Sequence, residues 1–298
     1  MKNLWIVTPV YYDVESFLLL YQEIETSLNS NRFPYQKNFL VIDDSAHRDR
    51  SIQKLKKISN IKVLHAPQNL GHQHALVLGL RHLKQYVADH DLVITLDSDG
   101  QDDPKDCPQM LQTITSAANA EASVVVAQRT KRSESFCFKV FYLCFKIMFK
   151  LLTGTSIKSG NFVAYKGAFL KRYIDHYFFN LCYSSSFYVL GVTIASVPCE
   201  RRKRMLGESK MNLFSLIKHG LRMLLPFIKI ILLRIFIFLL LLSLIALTHT
   251  YYKSHSQKVP GGKVAVLPDR SNQREPSCVN SVLIDKGLAL KVNVVRIA

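Results

Sequence analysis

An apolar run that ends in two carboxylates and an amide constrains this chain more than any other segment. Residues 92–96 are apolar or β-branched, which predicts a strand that is covered on both faces. Asp97, Asp99 and Gln101 follow at alternate positions, so an extended backbone would point all three the same way. Such oxygen donors suit Mg²⁺ or Mn²⁺, and Mg²⁺ takes its remaining ligands from water and phosphates. The segment therefore predicts a metal site that also holds a nucleoside diphosphate, with a solvated acidic turn as the alternative.

The chain carries a large basic excess, with 39 Lys and Arg against 22 Asp and Glu and a net charge of +17. Such an excess predicts an anionic partner, which is nucleic acid, a membrane surface or a phosphorylated substrate. The basic residues are concentrated in residues 131–234, beside the most apolar segment, which favours a membrane. The sequence has no helix-turn-helix, zinc-finger or RNA-binding aromatic signature, so no nucleic-acid partner is expected. Its six cysteines form no Cys-x-x-Cys pair and predict free thiols in a reducing compartment.

Strand-like and helix-like segments alternate along the first two thirds of the chain. The predicted strands cover residues 4–8, 39–42, 61–64, 92–96, 124–126, 161–165 and 192–198. Helical spacing of apolar residues lies between the earlier ones, and Pro104 is expected in the first turn of a helix. This order predicts an α/β fold with helices on both faces of a mainly parallel sheet. The length suits one large domain with an appendage, or two small domains.

Polar motifs follow three of these predicted strands. They are Pro9-Val10-Tyr11, Asp43-Asp44-Ser45 and Asp97-Ser98-Asp99. In a parallel α/β sheet, ligands bind at the carboxyl ends of the strands. The three motifs are therefore expected to meet at one edge of the sheet and to form a single site there.

Two segments in the second half combine apolar and basic residues. Residues 136–152 mix lysines with phenylalanines, which suits a helix in a bilayer interface or an ordinary domain helix with its lysines in water. Residues 213–247 are very apolar, and Pro226 is expected to end or kink a helix there. From about residue 230 the run is long enough to span a membrane, with Arg234 snorkelling to the headgroups. The alternative is a buried core helix.

Six motifs follow one another between residues 8 and 210. They are TPVYYD (8–13), VIDDS (41–45), NLGHQ (69–73), LDSDGQDDP (96–104), GNF (160–162) and Arg204 with GESK (207–210). In this order they resemble the family 2 glycosyltransferases of the GT-A fold, in particular dolichol-phosphate mannose synthase and bacterial polyprenyl-phosphate sugar transferases. The resemblance implies a three-layer α/β sandwich with a mainly parallel sheet, followed by C-terminal membrane-associated helices.

The resemblance also implies roles for individual residues. The implied nucleoside contacts are Pro9, Tyr11, Asp13, Asp43 and Asp44. The implied ligands of Mg²⁺ or Mn²⁺ are Asp97, Asp99 and Gln101, with Asp99 as the catalytic residue. The implied phosphate-binding cations are Arg129, Arg204 and Lys210. Such a set would stabilise the charge that develops on a departing diphosphate.

The acceptor is inferred from the scarcity of carboxylates after Gly160. A sugar hydroxyl normally needs Asp or Glu as a general base, and residues 160–199 contain one carboxylate, Asp175. A phosphate acceptor is already anionic and needs cations instead. We therefore expect transfer from a nucleotide-sugar donor to a polyprenyl phosphate at the cytoplasmic face of the membrane, with the inversion that the resemblance implies.

Two alternatives stay open at this stage. The first is transfer to a sugar hydroxyl of a lipid-linked or cell-surface polysaccharide precursor, with Asp99, Asp175 or Glu200 as the base. The second is an inactive, membrane-anchored nucleotide-sugar-binding protein. In each case residues 1–212 are the expected GT-A domain, residues 213–250 an interfacial helix with a transmembrane anchor, and residues 251–298 a weakly ordered tail. The oligomeric state is left open.

Overall fold

Seven strands and nine α-helices are described by a computed structural model, which covers residues 2–31, 33–116, 123–131, 136–157, 160–207 and 213–256. The strands are β1 (Asn3–Val10), β2 (Gln36–Asp43), β3 (Ile61–His65), β4 (Leu92–Thr95), β5 (Val124–Lys131), β6 (Val163–Lys166) and β7 (Ile194–Glu200). The helices are α1 (Val14–Ser30), α2 (His72–Leu83), α3 (Cys107–Thr115), α4 (Phe136–Thr153), α5 (Gly167–Tyr173), α6 (Phe178–Leu181), α7 (Tyr183–Val189), α8 (Leu213–Leu224) and α9 (Ile228–Ser256). Short 3₁₀ segments lie at Arg50–Lys57, Pro104–Asp106 and Leu225–Phe227.

The strands form one mixed sheet in the order β3-β2-β1-β4-β6-β5-β7. β1 pairs in parallel with β2 and β4, β2 pairs in parallel with β3, and β5 with β7. β6 runs antiparallel to both of its neighbours, β4 and β5. The prediction of a mainly parallel α/β sheet is confirmed, and the direction of β6 is the feature that the periodicity did not predict.

Apolar side chains fill both faces of the sheet. One core lies under α1 and α3 and includes Phe17, Ile24 and Met110. The other lies under α2, α5 and α7 and includes Leu76 and Phe187. Each fully buried side chain of this kind stabilises the fold by about 1.5–3 kcal/mol relative to exposure. Helices on both sides of a sheet make the three-layer sandwich that was expected.

A third, smaller core joins α4 to the C-terminal helices. Its buried members are Phe149, Phe227 and Ile231. The rings of Phe149 and Phe227 meet edge to face, with centroids 5.4 Å apart. Pro226 lies in the 3₁₀ segment between α8 and α9, so α8 ends before the proline, as expected. Helix α4 is therefore joined to the C-terminal helices through packed aromatic side chains.

The C-terminal helical segment is apolar and exposed. The described residues include one helix long and apolar enough to cross a membrane, Ile217–His255, with a mean hydropathy of 3.1 and 6% burial in its most apolar window. Arg234 within it donates from Nη1 to the Leu151 carbonyl at the end of α4, at 3.3 Å. The first compact unit of the chain ends at Ser243, and the second begins at Leu244, where the helix continues. The boundaries expected at residues 212 and 250 stay predictions.

Candidate active site

The three polar motifs meet at one edge of the sheet, as predicted. Val10 of β1 stands opposite Asp43 of β2, and the Asp44 amide donates to the Val10 carbonyl at 2.9 Å. On the other side of β1, the Leu96 amide donates to the Val7 carbonyl at 3.3 Å. Three neighbouring parallel strands therefore place their carboxyl-terminal loops side by side, where ligands bind in sheets of this type.

A cavity of about 140 Å³ opens among the loops that follow β1, β2 and β3. Its lining residues are Tyr11, Tyr12, Ser45, Ala46, Arg48, Pro67, Gln68 and Asn69. Tyr12 has a φ of 51° and Ala46 a φ of 56°, both in the left-handed region that residues other than glycine rarely adopt. Strained backbone of this kind persists only where the surrounding structure fixes it, and it is found preferentially at ligand sites.

Of the five predicted nucleoside residues, one lines this cavity and the other four lie outside its lining. Tyr11 is in the wall. Pro9 is buried in β1 opposite Ile42, and Asp13 directly precedes α1, with Oδ2 3.9 Å from Arg204 Nη2. Arg48 is a cavity residue that the sequence pattern did not single out, because it lies outside the strand-end positions.

Asp44 holds the loop that leads into α2. Its Oδ1 accepts from the Leu70 amide at 2.7 Å, and its Oδ2 accepts from the Gly71 amide at 2.9 Å. Gly71 has a φ of +77°, which suits glycine, and it precedes the first residue of α2. Burial raises the pKa of Asp44, and the two amide hydrogen bonds oppose that rise. Asp44 therefore fixes the segment that directly follows Asn69, a residue of the cavity wall.

Asp43 is also buried, but its carboxylate has other hydrogen-bond partners than that of Asp44. Its Oδ1 accepts from the Ser45 amide at 2.9 Å, and its Oδ2 lies 2.8 Å from His65 Nδ1. Burial alone would raise the pKa of Asp43, but the hydrogen bonds from Ser45 and His65 outweigh it and leave the pKa lowered. His47 stacks on His65 with ring centroids 4.2 Å apart, so a histidine pair lies beside Asp43.

The backbone turns after β4 instead of staying extended. Asp99 Oδ1 accepts from the Gln101 amide at 3.0 Å, and Gly100 has a φ of 70°. This closed turn separates the side chains that an extended backbone would have aligned. Asp97 Oδ1 accepts from Asn161 Nδ2 at 3.1 Å, and Gln101 Oε1 accepts from the guanidinium of Arg201.

Arg204 is the direct cationic partner of the Asp99 carboxylate among the described residues. Its Nη2 donates to Asp99 Oδ2 at 3.0 Å. The Met205 amide donates to the Asp99 carbonyl at 3.1 Å, which ties the two segments together. An Arg predicted to bind phosphate therefore lies against the carboxylate predicted to hold the metal.

The donor atoms at this turn fit a hard divalent cation. Asp97 and Asp99 carry carboxylate oxygens of the kind such a cation prefers, whereas the amide oxygen of Gln101 is bound by Arg201. Across the part of the chain that the structure describes, no three His, Cys, Asp or Glu side chains converge on one point. Mg²⁺ commonly uses one or two protein carboxylates and completes its shell with phosphates and water. Two carboxylates at one strand end match that number of protein ligands in donor chemistry.

Arg129 approaches the acidic turn from β5. Its Nη2 lies 3.5 Å from Oδ1 of Asp102, a carboxyl group that is 5% exposed. Burial raises the pKa of Asp102 to about 6, and the charge of Arg129 opposes the rise. A Cβ on Gly160 would lie 3.1 Å from Arg129 Nη2, so the glycine leaves room for the guanidinium. Lys210, the third predicted phosphate-binding cation, lies outside the described residues.

Two histidines from distant parts of the chain also meet near this turn. His72 is the first residue of α2, and His219 comes from α8; their ring centroids are 6.0 Å apart. Gln73, the next residue of α2, donates from Nε2 to Asn161 Oδ1 at 3.4 Å. Asn161 in turn donates to Asp97, so α2 is linked to the acidic turn. The sequence pattern gave no signal for His219, because nothing local relates α8 to the sheet edge.

A family model described as glycosyl transferase family 2 matches residues 5–176. The match covers more than half of the chain, and it includes all three strand ends of the site. The chain therefore belongs to glycosyl transferase family 2, as its motifs predicted.

Curated relatives align with most of this chain. It is 28% identical over 223 residues to the undecaprenyl-phosphate 4-deoxy-4-formamido-L-arabinose transferase of Proteus mirabilis, covering 71% of this chain and 64% of that protein. It is 26% identical over 230 residues to the Yersinia enterocolitica protein of the same name, covering 73% and 65%. The chain thus spans just under two thirds of the length of these relatives.

Solved structures share the fold at low sequence identity. Mannosyl-3-phosphoglycerate synthase from Rubrobacter xylanophilus superposes with a TM-score of 0.51 and 14% identity, covering 76% of this chain and 73% of that one. Glucosyl-3-phosphoglycerate synthase from Mycobacterium tuberculosis, in complex with Mn²⁺, uridine diphosphate and glucosyl-3-phosphoglycerate, gives 0.50 and 16%, covering 76% and 80%. At these identities the likeness is one of fold, and it agrees with the GT-A architecture.

Proposed function

We propose that this chain transfers a sugar from a nucleotide-diphosphate donor to a polyprenyl phosphate, with inversion, at the cytoplasmic face of a membrane. The observation that carries the proposal is the contact of Arg204 with Asp99 at the strand end that also bears Asp97. A cation beside two carboxylates is the combination that a metal-bound diphosphate needs, and this supports the proposal. The names of the curated relatives support a polyprenyl phosphate as the acceptor.

We propose that the donor binds across the cavity and the acidic turn. The nucleoside would occupy the cavity beside Tyr11 and Tyr12, and the diphosphate would extend toward Asp99. Arg204, which contacts Asp99, would then bind phosphate oxygens and stabilise the charge on the leaving group. Arg129, on β5, would bind the same phosphates from the other side. The same role is proposed for Lys210.

A divalent cation held by Asp97 and Asp99 would neutralise part of the diphosphate charge. The Mn²⁺ and uridine diphosphate in the Mycobacterium tuberculosis protein of the same fold are consistent with such a site. Asn161 would keep Asp97 oriented through the hydrogen bond to Oδ1. Gln101 contributes its backbone amide to the turn of Asp99 and its side chain to Arg201.

A phosphate acceptor agrees better with the surroundings of the site than a hydroxyl acceptor does. Asp175, a candidate base for a hydroxyl, pairs with Arg81 and Lys84 at the C-terminal end of α2. The site lies at the N-terminal end of that helix, and twelve helical residues span about 18 Å. Asp175 is therefore too far away to serve as the base.

Exposed apolar residues next to the site support a lipid acceptor and a membrane location. On α4, Leu143, Ile147 and Leu151 recur at intervals of four and are all more than half exposed. On α8, Leu221 is 58% exposed, and α9 continues with an exposed leucine-rich stretch. Such faces are stable in a bilayer interface and would hold an isoprenoid chain near the donor.

The test uses the purified full-length protein with Mn²⁺, a panel of labelled nucleotide sugars and a polyprenyl phosphate in vesicles. Label that can be extracted into organic solvent is the expected product. Asp99→Asn should remove activity, whereas Asp89→Asn, an exposed aspartate paired with Lys171, should retain it. Label found only in water-soluble glycan would favour the hydroxyl acceptor. Binding of nucleotide sugar without any transfer would favour the inactive binding protein.

A further inference from the structure

A set of buried polar side chains adjoins the acidic turn. Gln73 of α2, Thr95 of β4, Asn161, and Tyr183 of α7 are each at most 5% exposed. The hydrogen bonds among them join positions that are 66–88 residues apart in the chain. Polar groups buried this deeply cost free energy unless they are hydrogen-bonded, so the bonds they make decide how each side chain is oriented.

Asn161 lies at the centre of this set. Its Nδ2 donates to Asp97 Oδ1 at 3.1 Å, and its Oδ1 accepts from Gln73 Nε2 at 3.4 Å. Its backbone carbonyl accepts from Thr95 Oγ1 at 2.6 Å, and the Thr95 hydroxyl lies 3.0 Å from that of Tyr183. The backbone contact fixes where Asn161 lies, whereas Gln73 decides which end of its amide faces Asp97. A carboxylate only accepts hydrogen bonds, so a rotated amide would set its oxygen against Asp97.

The side chain of Gln73 has one amide atom that is not satisfied. Its Nε2 also lies 3.4 Å from Ser184 Oγ, but its Oε1 is buried and accepts no hydrogen bond from a described residue. An unsatisfied buried acceptor costs free energy, and an apolar side chain of similar size would avoid that cost. Stability alone therefore favours leucine at this position. What the glutamine adds is the N–H donor toward Asn161.

We propose that Gln73 is a positioning residue for the Asp97 carboxylate, acts through Asn161, and thereby sets the affinity of the acidic turn for a divalent cation. This inference rests on the proposed function, in which Asp97 binds that cation. Asn161 takes up Oδ1 of Asp97 and leaves Oδ2 to the cation. Replacing a side chain that orients a metal ligand typically lowers metal affinity about 10–100-fold. Gln73 acts one residue further out, so the lower end of that range is expected.

The test measures Mn²⁺ binding and does not depend on turnover. Full-length protein in detergent micelles is titrated with Mn²⁺ in the presence of uridine diphosphate, and free Mn²⁺ is followed by electron paramagnetic resonance. Gln73→Leu should weaken Mn²⁺ binding about tenfold. Its binding of uridine diphosphate without metal should not change, and its melting temperature should not fall, because the unsatisfied oxygen is removed with the amide. Gln73→His keeps an N–H donor and should fall between Gln73→Leu and the wild type.

Tyr165→Phe is the matched control. Tyr165 is also buried, and its hydroxyl lies 3.3 Å from that of Tyr183, at the end of the same polar set. Among the described hydrogen bonds it makes none to Asn161. This variant should bind Mn²⁺ as the wild type does.

The outcomes separate this inference from the proposed function. Equal Mn²⁺ affinity of the wild type and Gln73→Leu would overturn it, and so would an equal loss in Tyr165→Phe. A loss in Gln73→Leu that comes with a lower melting temperature and weaker metal-free nucleotide binding would also overturn it, because Gln73 would then support the fold in general. If Gln73→Leu does not fold, Gln73→Met, which also lacks a donor, decides in the same titration. Selective loss of Mn²⁺ binding, in a protein whose wild type transfers sugar to no lipid phosphate, would sustain the inference and reject the proposed transfer.

Discussion

Asp43 and His65 stand directly opposite each other in the register of β2 and β3, and His65 Nδ1 lies 2.8 Å from Asp43 Oδ2. The adjacent Asp44 binds a different segment, through the amides of Leu70 and Gly71. Two consecutive carboxylates therefore bind two different segments beside the cavity, the end of β3 and the loop before α2. Their surroundings shift the pKa of Asp43 downward and that of Asp44 upward from the ordinary value of 3.8.

Asp43 and Asp44 should change the free energy of unfolding with pH in opposite directions. Because the pKa of Asp43 is lower in the folded chain, its contribution is present above pH 3.8 and is lost as the pH falls through the folded value. Because the pKa of Asp44 is higher in the folded chain, ionisation of Asp44 lowers stability as the pH rises above 3.8. Asp43→Asn should therefore lose most stability near pH 7, and Asp44→Asn should lose most near pH 3.5.

Denaturant unfolding between pH 3.5 and 7 measures this contrast. For Asp43→Asn the deficit near pH 7 should be about 1–3 kcal/mol, the usual value for hydrogen bonds to a charged group. Asp89→Asn provides the control, because this aspartate is exposed and pairs with Lys171. Parallel curves for the two variants would contradict the assignment of distinct environments to Asp43 and Asp44.

Local patterns predicted the parts of the site that belong to strand ends. The positions of Asp43, Asp44, Asp97 and Asp99 follow from short apolar runs that end in polar residues, and parallel order along the chain puts them at one edge. The same patterns predicted an extended backbone through Asp99, whereas the structure has a turn there. Periodicity carries no information on a turn that is closed by a side-chain hydrogen bond.

Contacts between distant segments account for what the patterns missed. Gln101 and Arg201 are 100 residues apart, and their pairing depends on how β7 ends beside the acidic turn. His65 faces Asp43 through strand register, and His219 arrives on a helix that follows the whole sheet. The antiparallel direction of β6 is set by the same tertiary packing, since its apolar run suits either direction.

Gly160→Ala should lower turnover with little loss of stability. The new Cβ would lie 3.1 Å from Arg129 Nη2, so the guanidinium must move by a few tenths of an ångström. Because Arg129 is proposed to bind phosphate, a shifted guanidinium should reduce kcat/KM for the nucleotide sugar about tenfold, or about 1.4 kcal/mol. Steady-state kinetics with a varied donor concentration measures the effect.

Gly167→Ala is the matched comparison for that variant. A Cβ on Gly167 would press on the Ala88 carbonyl, which is backbone and cannot move aside as a side chain does. Gly167 follows β6, and its amide donates to the Asp91 carbonyl before β4, at the sheet edge opposite the site. This variant should lower the melting temperature and leave kcat/KM of the folded protein intact. A larger melting shift for Gly160→Ala than for Gly167→Ala would contradict the role given to Gly160.

The exposed apolar face of α4 should affect sugar transfer only when the acceptor is in a membrane. Ile147 and Leu151 are 53% and 72% exposed, so glutamate at either position removes only part of a side-chain contact. In a bilayer interface, however, the two charges must be desolvated or the helix must lift away. Ile147→Glu with Leu151→Glu should therefore lower transfer to polyprenyl phosphate in vesicles about tenfold or more. Binding of the donor and the melting temperature should stay near those of the wild type.

Leu19→Glu is the control for that double variant, because Leu19 is a 42% exposed leucine on α1, a helix of the first core and not of the third. It should leave transfer in vesicles unchanged. The comparison can be repeated with a short, water-soluble isoprenoid phosphate, for which membrane contact is irrelevant. The α4 variant should regain most of its activity with that acceptor, since the site residues on β4, β5 and α2 are untouched. Equal loss with both acceptors would mean that α4 supports the site through packing, as Phe149 does toward Phe227, and that it does not contact the bilayer.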